Sequence, residues 1–277
     1  MSDSAVAITK LTQILKQFDP KNGFDQPWED KIVDELYLYR HQDLGTLGME
    51  IIQAIGKHDG LWYPGGTAPT DRVELMDWSG KSFMDIFTRN ILPEKLRGLK
   101  EECMVNNKKF AQAAECWVEG FGPVENLYSD RLKKSVEDCK KDMENMGCNL
   151  EGYSYINCRL LLSYYHMIHS PVNGVVKRIL PCPQESNFFG DNALWLVEIE
   201  TDTDPVYMLI VGELNVQDFD FSIKEGQDIS ILDKIGHFGW GSQMLYFLKV
   251  PSGQKLALTE NVAHYFVGDD ILSTVLL

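Results

Sequence analysis

The sequence predicts an α+β protein: a helical N-terminal half packed on a compact antiparallel C-terminal half of barrel or sandwich-like type. Three observations predict it. Apolar residues recur every three to four positions through 4–18, 28–40 and 44–57. After about Tyr153 the texture changes to short runs rich in β-branched and aromatic residues. Those runs follow one another too closely for helical crossovers, which disfavours a parallel α/β sheet. Residues 1–150 are therefore expected to be mainly helical and 151–277 to be β-rich, the two forming one compact unit.

Taken in order, "HDGLWYPGGTAPTD" is a loop because Gly and Pro punctuate it. "KSFMDIFTRNI" resumes a helical pattern, and 94–118 read as one or two further helices. "SDRLKKSVEDCKKDMENMG" is a charged helix with Ser129 or Asp130 as its cap and Gly147 as its stop, its charges forming a solvated face. The strands follow: "NGVVKRILPC", "ALWLVEIETD", "PVYMLIVGEL", "QDFDFSI" and "QMLYFLKV", separated by "VNG", "TDTDP", "KEGQD" and "PSGQ". "DKIGHFGWGSQMLYFL" reads as strand, glycine turn, strand.

The formal net charge of −15 repels phosphates and anionic headgroups, so neither nucleic acid nor stable membrane insertion is expected. The amphipathic "MSDSAVAITKLTQILKQF" lacks the uninterrupted apolar core of a signal peptide and is expected as a packing helix. A cytoplasmic location follows. The six cysteines show no CxxC and no Cys/His ligand spacing, so they are read as reduced thiols with no metal.

Two constellations carry candidate chemistry. His166 and His169 in "YYHMIHSPVNG" would share one face if the segment is helical, and near neutral pH they can serve as general acid and base; a structural pair is the alternative. As metal ligands they lack a third partner. In "GWGS", Gly239 and Gly241 allow backbone conformations closed to other residues. The segment is then either a plain turn or a strained Gly241–Ser242 peptide whose serine hydroxyl attacks the Gly241 carbonyl.

Taken together these pieces resemble the phosphatidylserine decarboxylase family of pyruvoyl enzymes. "SFMDIFTRNI" is similar to the family's F-x-x-F-F-T-R segment, "YYHMIHSPVNGVV" to its Y-H-x-x-H-x-P-x-x-G signature, and "VGELNVQDFDFSIKEGQDISILDKIGHFGWGSQ" to the run that ends at its self-cleavage serine. The resemblance implies cleavage of Gly241–Ser242, a pyruvoyl group derived from Ser242, His169 as the base that activates the serine, and His166 lining the substrate site. It implies an autocatalytically activated lyase whose ketone draws electrons as carbon dioxide leaves. The family's P-x-D-G segment, whose aspartate orients the base, has no close match; Glu125 and Asp130 are the nearest carboxylates. Gln243 stands where Thr or Ser is usual, and Gln217 where a glycine is. A soluble amino acid or related small metabolite of specialised metabolism is the expected substrate, and a homodimer the expected state. The alternative is an uncleaved member of the fold turned to another task on a natural-product intermediate, such as a cyclisation or pericyclic step, or to binding.

Overall fold

The computed structural model describes residues 3–23, 25–62, 74–129, 134–182, 186–188, 193–212, 219–239, 242–258 and 264–274. Asp130, Gln217 and Gly241 lie outside them, as does most of the Gly/Pro loop after Trp62. The chain divides into two compact units. One comprises 1–96 with 161–166, the other 97–160 with 167–277. These do not follow a single boundary near residue 150.

The first unit is helical. In α1 (Asp3–Leu15) Ala7, Leu11 and Ile14 are buried, and in α2 (Gln26–Tyr39) Trp28, Ile32 and Leu36 are. That spacing gives each helix one apolar stripe. The Asp25 side chain caps α2 by accepting from the Trp28 amide at 3.2 Å. The Trp28 indole N–H donates to the Ile14 carbonyl at 2.9 Å, a carbonyl at the end of α1 that also accepts from the Gln17 amide at 3.0 Å. Then come α3 (Leu47–Trp62), α4 (Phe83–Phe87) and α5 (Pro93–Val105), the last running from one unit into the other. Ser82 and Asp85 form a capping box that starts α4.

The second unit is built on strands. Its first, β1 (Cys116–Pro123), lies within the region read as helical. The glycines at 120 and 122 diluted its β signal. After the two-residue strands β2 (Tyr128–Ser129) and β3 (Lys134–Ser135) comes α6 (Val136–Asn145). Its cap is Ser135, in a capping box with Asp138, rather than Ser129 or Asp130. Gly147 just beyond it has φ +73°, the left-handed conformation that suits glycine at a helix stop.

The remaining strands are β4 (Ser154–Leu160), β5 (Met167–His169), β6 (Gly174–Pro181), β7 (Leu194–Glu200), β8 (Val206–Gly212), β9 (Phe219–Phe221), β10 (Asp228–Ile229), β11 (Lys234–Phe238), β12 (Ser242–Leu248), β13 (Gln254–Leu256), β14 (His264–Tyr265) and β15 (Leu272–Thr274). Among the described residues they form an open eight-stranded antiparallel sheet in the order β10-β6-β7-β8-β12-β4-β1-β14, a three-stranded sheet β5-β11-β9, and two small ribbons. The architecture is sandwich-like, not a closed barrel.

The central strands are buried on both faces, so they read as continuous apolar runs. Met244, Tyr246 and Leu248 of β12 share one core with Ile168, Ile235 and Phe238 of the three-stranded sheet. Leu245 and Phe247 share the other with Cys139 and Met143 of α6. The layers are therefore three-stranded sheet, eight-stranded sheet and helix.

Gly236 marks the tightest packing on β11. A Cβ there would lie 2.3 Å from the Asp220 carbonyl oxygen and 2.4 Å from the Phe219 ring. The paired strand must move, so Gly236→Ala is expected to destabilise the protein by about 3 kcal/mol. The urea midpoint measures it, and an unchanged midpoint would contradict this packing.

Candidate active site

The loop-rich stretch after β4 carries both histidines. His166 belongs to the first unit and His169 to the second, the chain passing between units at Met167. The pair is not helical, so the expected shared helix face is absent; "MIH" is strand β5 instead, because it pairs with β11.

His169 sits opposite Lys234 of β11 and is 1% exposed. Its backbone amide donates to the Ala113 carbonyl at 2.8 Å. Its Nδ1 lies 2.8 Å from the Leu232 carbonyl oxygen. A carbonyl can only accept, so Nδ1 carries the proton and the ring's lone pair is on Nε2. Burial pushes the imidazole down to about 4, with the Lys100 and Lys234 charges adding to the effect and Asp233 opposing it. At neutral pH the ring is an uncharged base in a fixed tautomer.

Leu232 reaches His169 through an unusual backbone. Its φ is +64°, the left-handed region that costs a non-glycine residue about 1–2 kcal/mol. Its amide donates to the Ser170 carbonyl at 2.8 Å. The chain thus doubles back on β5 at a fully buried leucine, and the strain sits where a carbonyl is aimed at the histidine. Sequence reasoning sought a carboxylate for that task. Glu125 is exposed on a short 3-10 turn (Val124–Asn126). A leucine's φ and a backbone carbonyl leave no signature in composition or spacing.

His166 has the same logic in the first unit. Its Nδ1 lies 2.8 Å from the Tyr164 carbonyl oxygen, again fixing the proton there. Its ring stacks on Phe87 of α4 with centroids 3.8 Å apart. Nε2 is buried and has no hydrogen-bond partner among the described residues. Burial, with the Arg89 guanidinium adding to it and the Tyr164 hydrogen bond opposing, pushes it down to about 3. Arg89 itself donates to the Ile86 carbonyl at 3.0 Å and the Ser163 carbonyl at 3.2 Å.

Ser242 is the first residue of β12, opposite Leu160 of β4 and Gly212 of β8. β11 and β12 do not form a hairpin with each other. β11 pairs with β5 and β9, and β12 with β4 and β8. β11, ending at Phe238, and β12, starting at Ser242, therefore lie in different sheets. His169 and Ser242 belong to the same unit, on strands of its two sheets.

Other reactive groups are quiet. Cys103, Cys116, Cys139, Cys148 and Cys158 are buried thiols. Burial pushes Cys148 up to about 11 and Cys116 and Cys139 well above their ordinary value, which disfavours the nucleophilic thiolate. Glu29, His58 and Asp59 offer one ligand atom each within 4.8 Å of one another, a grouping the sequence reading missed because 29 residues separate two of its members. Among the described residues no helix is long and apolar enough to cross a membrane.

Comparisons with known proteins agree with the motifs. The family profile described as phosphatidylserine decarboxylase matches residues 83–272. Phosphatidylserine decarboxylase proenzyme 2 of Komagataella phaffii is 29% identical over 187 residues, 61% of this chain but 18% of that protein's length. Among solved structures, the crystal structure of cbpa from L. salivarius REN aligns with 35% of this chain and 56% of its own at 16% identity and TM-score 0.25, too slight a likeness to bear on fold or function. The match over 83–272 takes in α4, the histidine segment, the sheet change and Ser242, and by it the chain belongs to the phosphatidylserine decarboxylase family.

Proposed function

We propose that the chain is a pyruvoyl-dependent decarboxylase of a soluble amino acid or related small metabolite, activated by cutting itself between Gly241 and Ser242. The observation that carries the reading is His169, a buried histidine held neutral with its proton fixed on Nδ1 by the Leu232 carbonyl. Membership of the family supports it, and the Komagataella phaffii relative is itself named a proenzyme.

In the cut, Nε2 of His169 takes the Ser242 hydroxyl proton as the oxygen attacks the Gly241 carbonyl carbon. The C–N bond breaks, the nitrogen takes up a proton, and an ester remains. Elimination breaks the ester C–O bond and leaves Gly241 with a free carboxylate. Hydrolysis then releases ammonia, so residue 242 ends as a pyruvoyl group at a new N-terminus. The residues present fit that group in one respect: position 242 opens a central strand, paired with Leu160 of β4 and Gly212 of β8. When in place, the group supplies a ketone that accepts electrons as carbon dioxide leaves. In this reading His169 returns a proton to the product, and its burial keeps water from competing for it. The charge of −15 argues against an anionic lipid surface as the place of work.

Intact mass of the purified protein tests the reading. The expected result is two pieces, 1–241 and 242–277, the smaller blocked at its N-terminus, in place of one 31.6 kDa chain. A whole chain that nevertheless turns over substrate would replace this reading with that of an uncleaved member of the fold.

A further inference from the structure

We propose that Gln243 is a positioning residue: with Glu119 and Asn157 it clamps the first residues of β12 so that the peptide bond before Ser242 is held ready for the cut. The proposal rests on the self-cleavage reading above. Gln243 follows Ser242 directly and is fully buried. A buried carboxamide needs partners for its polar atoms. Its Nε2 donates to Asn157 Oδ1 at 2.7 Å and to Glu119 Oε2 at 3.1 Å. Asn157 Nδ2 donates to the same Glu119 oxygen at 3.3 Å. Arg159, directly opposite Gln243 on β4, holds its Nη1 3.8 Å from the other Glu119 oxygen. Three strands of the sheet are thereby tied together at the end where β12 begins.

Glu119 reaches this position through a defect in β1. The register between β1 and β4 shifts between Val118 and Gly120, so Glu119 is the bulged residue. A bulge re-aims the side chain it carries. Here it lets a β1 carboxylate meet an amide on β12, two strands away. Hydrogen bonds to an ionised acceptor are shorter and stronger than neutral ones, so the carboxylate makes a firm anchor. A strand whose second side chain is fixed resists fraying or slipping at that end. The serine side of the cut is thereby held, and the new N-terminus keeps its place after the bond has gone.

Two variants test the clamp: Gln243→Met, which keeps the length but loses every hydrogen bond, and the milder Glu119→Gln, which keeps an acceptor but loses the charge. Amide hydrogen exchange is read in the uncleavable Ser242→Ala full chain, and splitting in the Ser242 chain by intact mass over time. Gln243→Met is expected to speed exchange at residues 242–245 at least tenfold and to slow splitting at least tenfold. Glu119→Gln should do both to a lesser degree. Leu196→Ala is the control for general loosening: it opens the same core as Leu245 without touching the clamp and should split at the wild-type rate. Wild-type exchange in both clamp variants overturns the proposal whether or not the wild-type chain splits. A splitting wild type beside a normally splitting Gln243→Met overturns the role in the cut alone. A wild type that stays whole removes the self-cleavage reading and that role with it.

Discussion

Replacing His169 with alanine is expected to slow self-cleavage a hundred-fold or more, so that the purified protein accumulates as the uncut chain. The size follows from the role: a positioned general base contributes about 10²–10⁴-fold. The role needs an uncharged ring with its lone pair on Nε2. The Leu232 carbonyl fixes the proton on Nδ1 at 2.8 Å, and burial keeps the ring uncharged. The pH dependence separates this histidine from an ordinary one. With its titration lowered to about 4, the base stays deprotonated well below the usual 6.5. Splitting should be nearly flat from pH 8 to about 5 and fall about tenfold per unit only below about 4. A decline centred near 6.5 would show that an exposed histidine does the work. Splitting of His169→Ala at the wild-type rate would remove His169 from the mechanism.

Stability should fall steeply with acid over the same range. His166 and His169 are lowered from 6.5 to about 3 and about 4. Between those values and 6.5 the unfolded chain binds protons that the folded one refuses, so stability rises with pH there. The contribution is complete above about 6.5 and is lost as pH falls toward about 4. Lowering a ring's titration by one pH unit corresponds to about 1.36 kcal/mol, so the two rings together account for several kcal/mol. Urea midpoints at pH 7.5, 5.5 and 4.5 measure the slope. His166→Leu removes one titrating ring from beside Phe87 and should flatten it by about half. An unaltered slope would mean that His166 is accessible to protons in the native state.

The helices of the first unit and the β texture of the second were legible because burial there is periodic. Trp28, Ile32 and Leu36 fall on one stripe, and "MLYFL" is a strand buried on both faces. β1 was not legible: "CWVEGFGP" is held in the sheet by its neighbours β4 and β14, and tertiary pairing overrides weak propensity. The charged helix α6 was read as a solvated face, yet Asp142 on it is 1% exposed. It accepts from the Ser186 hydroxyl at 2.6 Å, the Asn187 amide at 2.7 Å and the Phe188 amide at 3.0 Å. No local pattern reports a carboxylate satisfied by a segment more than forty residues away. At the candidate site the residue types could be seen, Ser242 and His169 among them. What orients His169 is backbone, and a carbonyl's direction is set by φ and ψ, not by side-chain identity. Gln243 reads in sequence as a departure from the family's habit and in space as the hub of a polar tie.

The placement of β12 decides what a cut before Ser242 would leave behind. The downstream piece begins with a strand flanked by β4 and β8 and carries β13, β14 and β15 as well. Its exit would strip two ladders and expose Tyr246 and Phe247, which are fully buried. Severing the backbone would therefore turn one polypeptide into an interlocked pair that migrates as a single particle until denaturant is added. Neither fragment would be a candidate for folding alone.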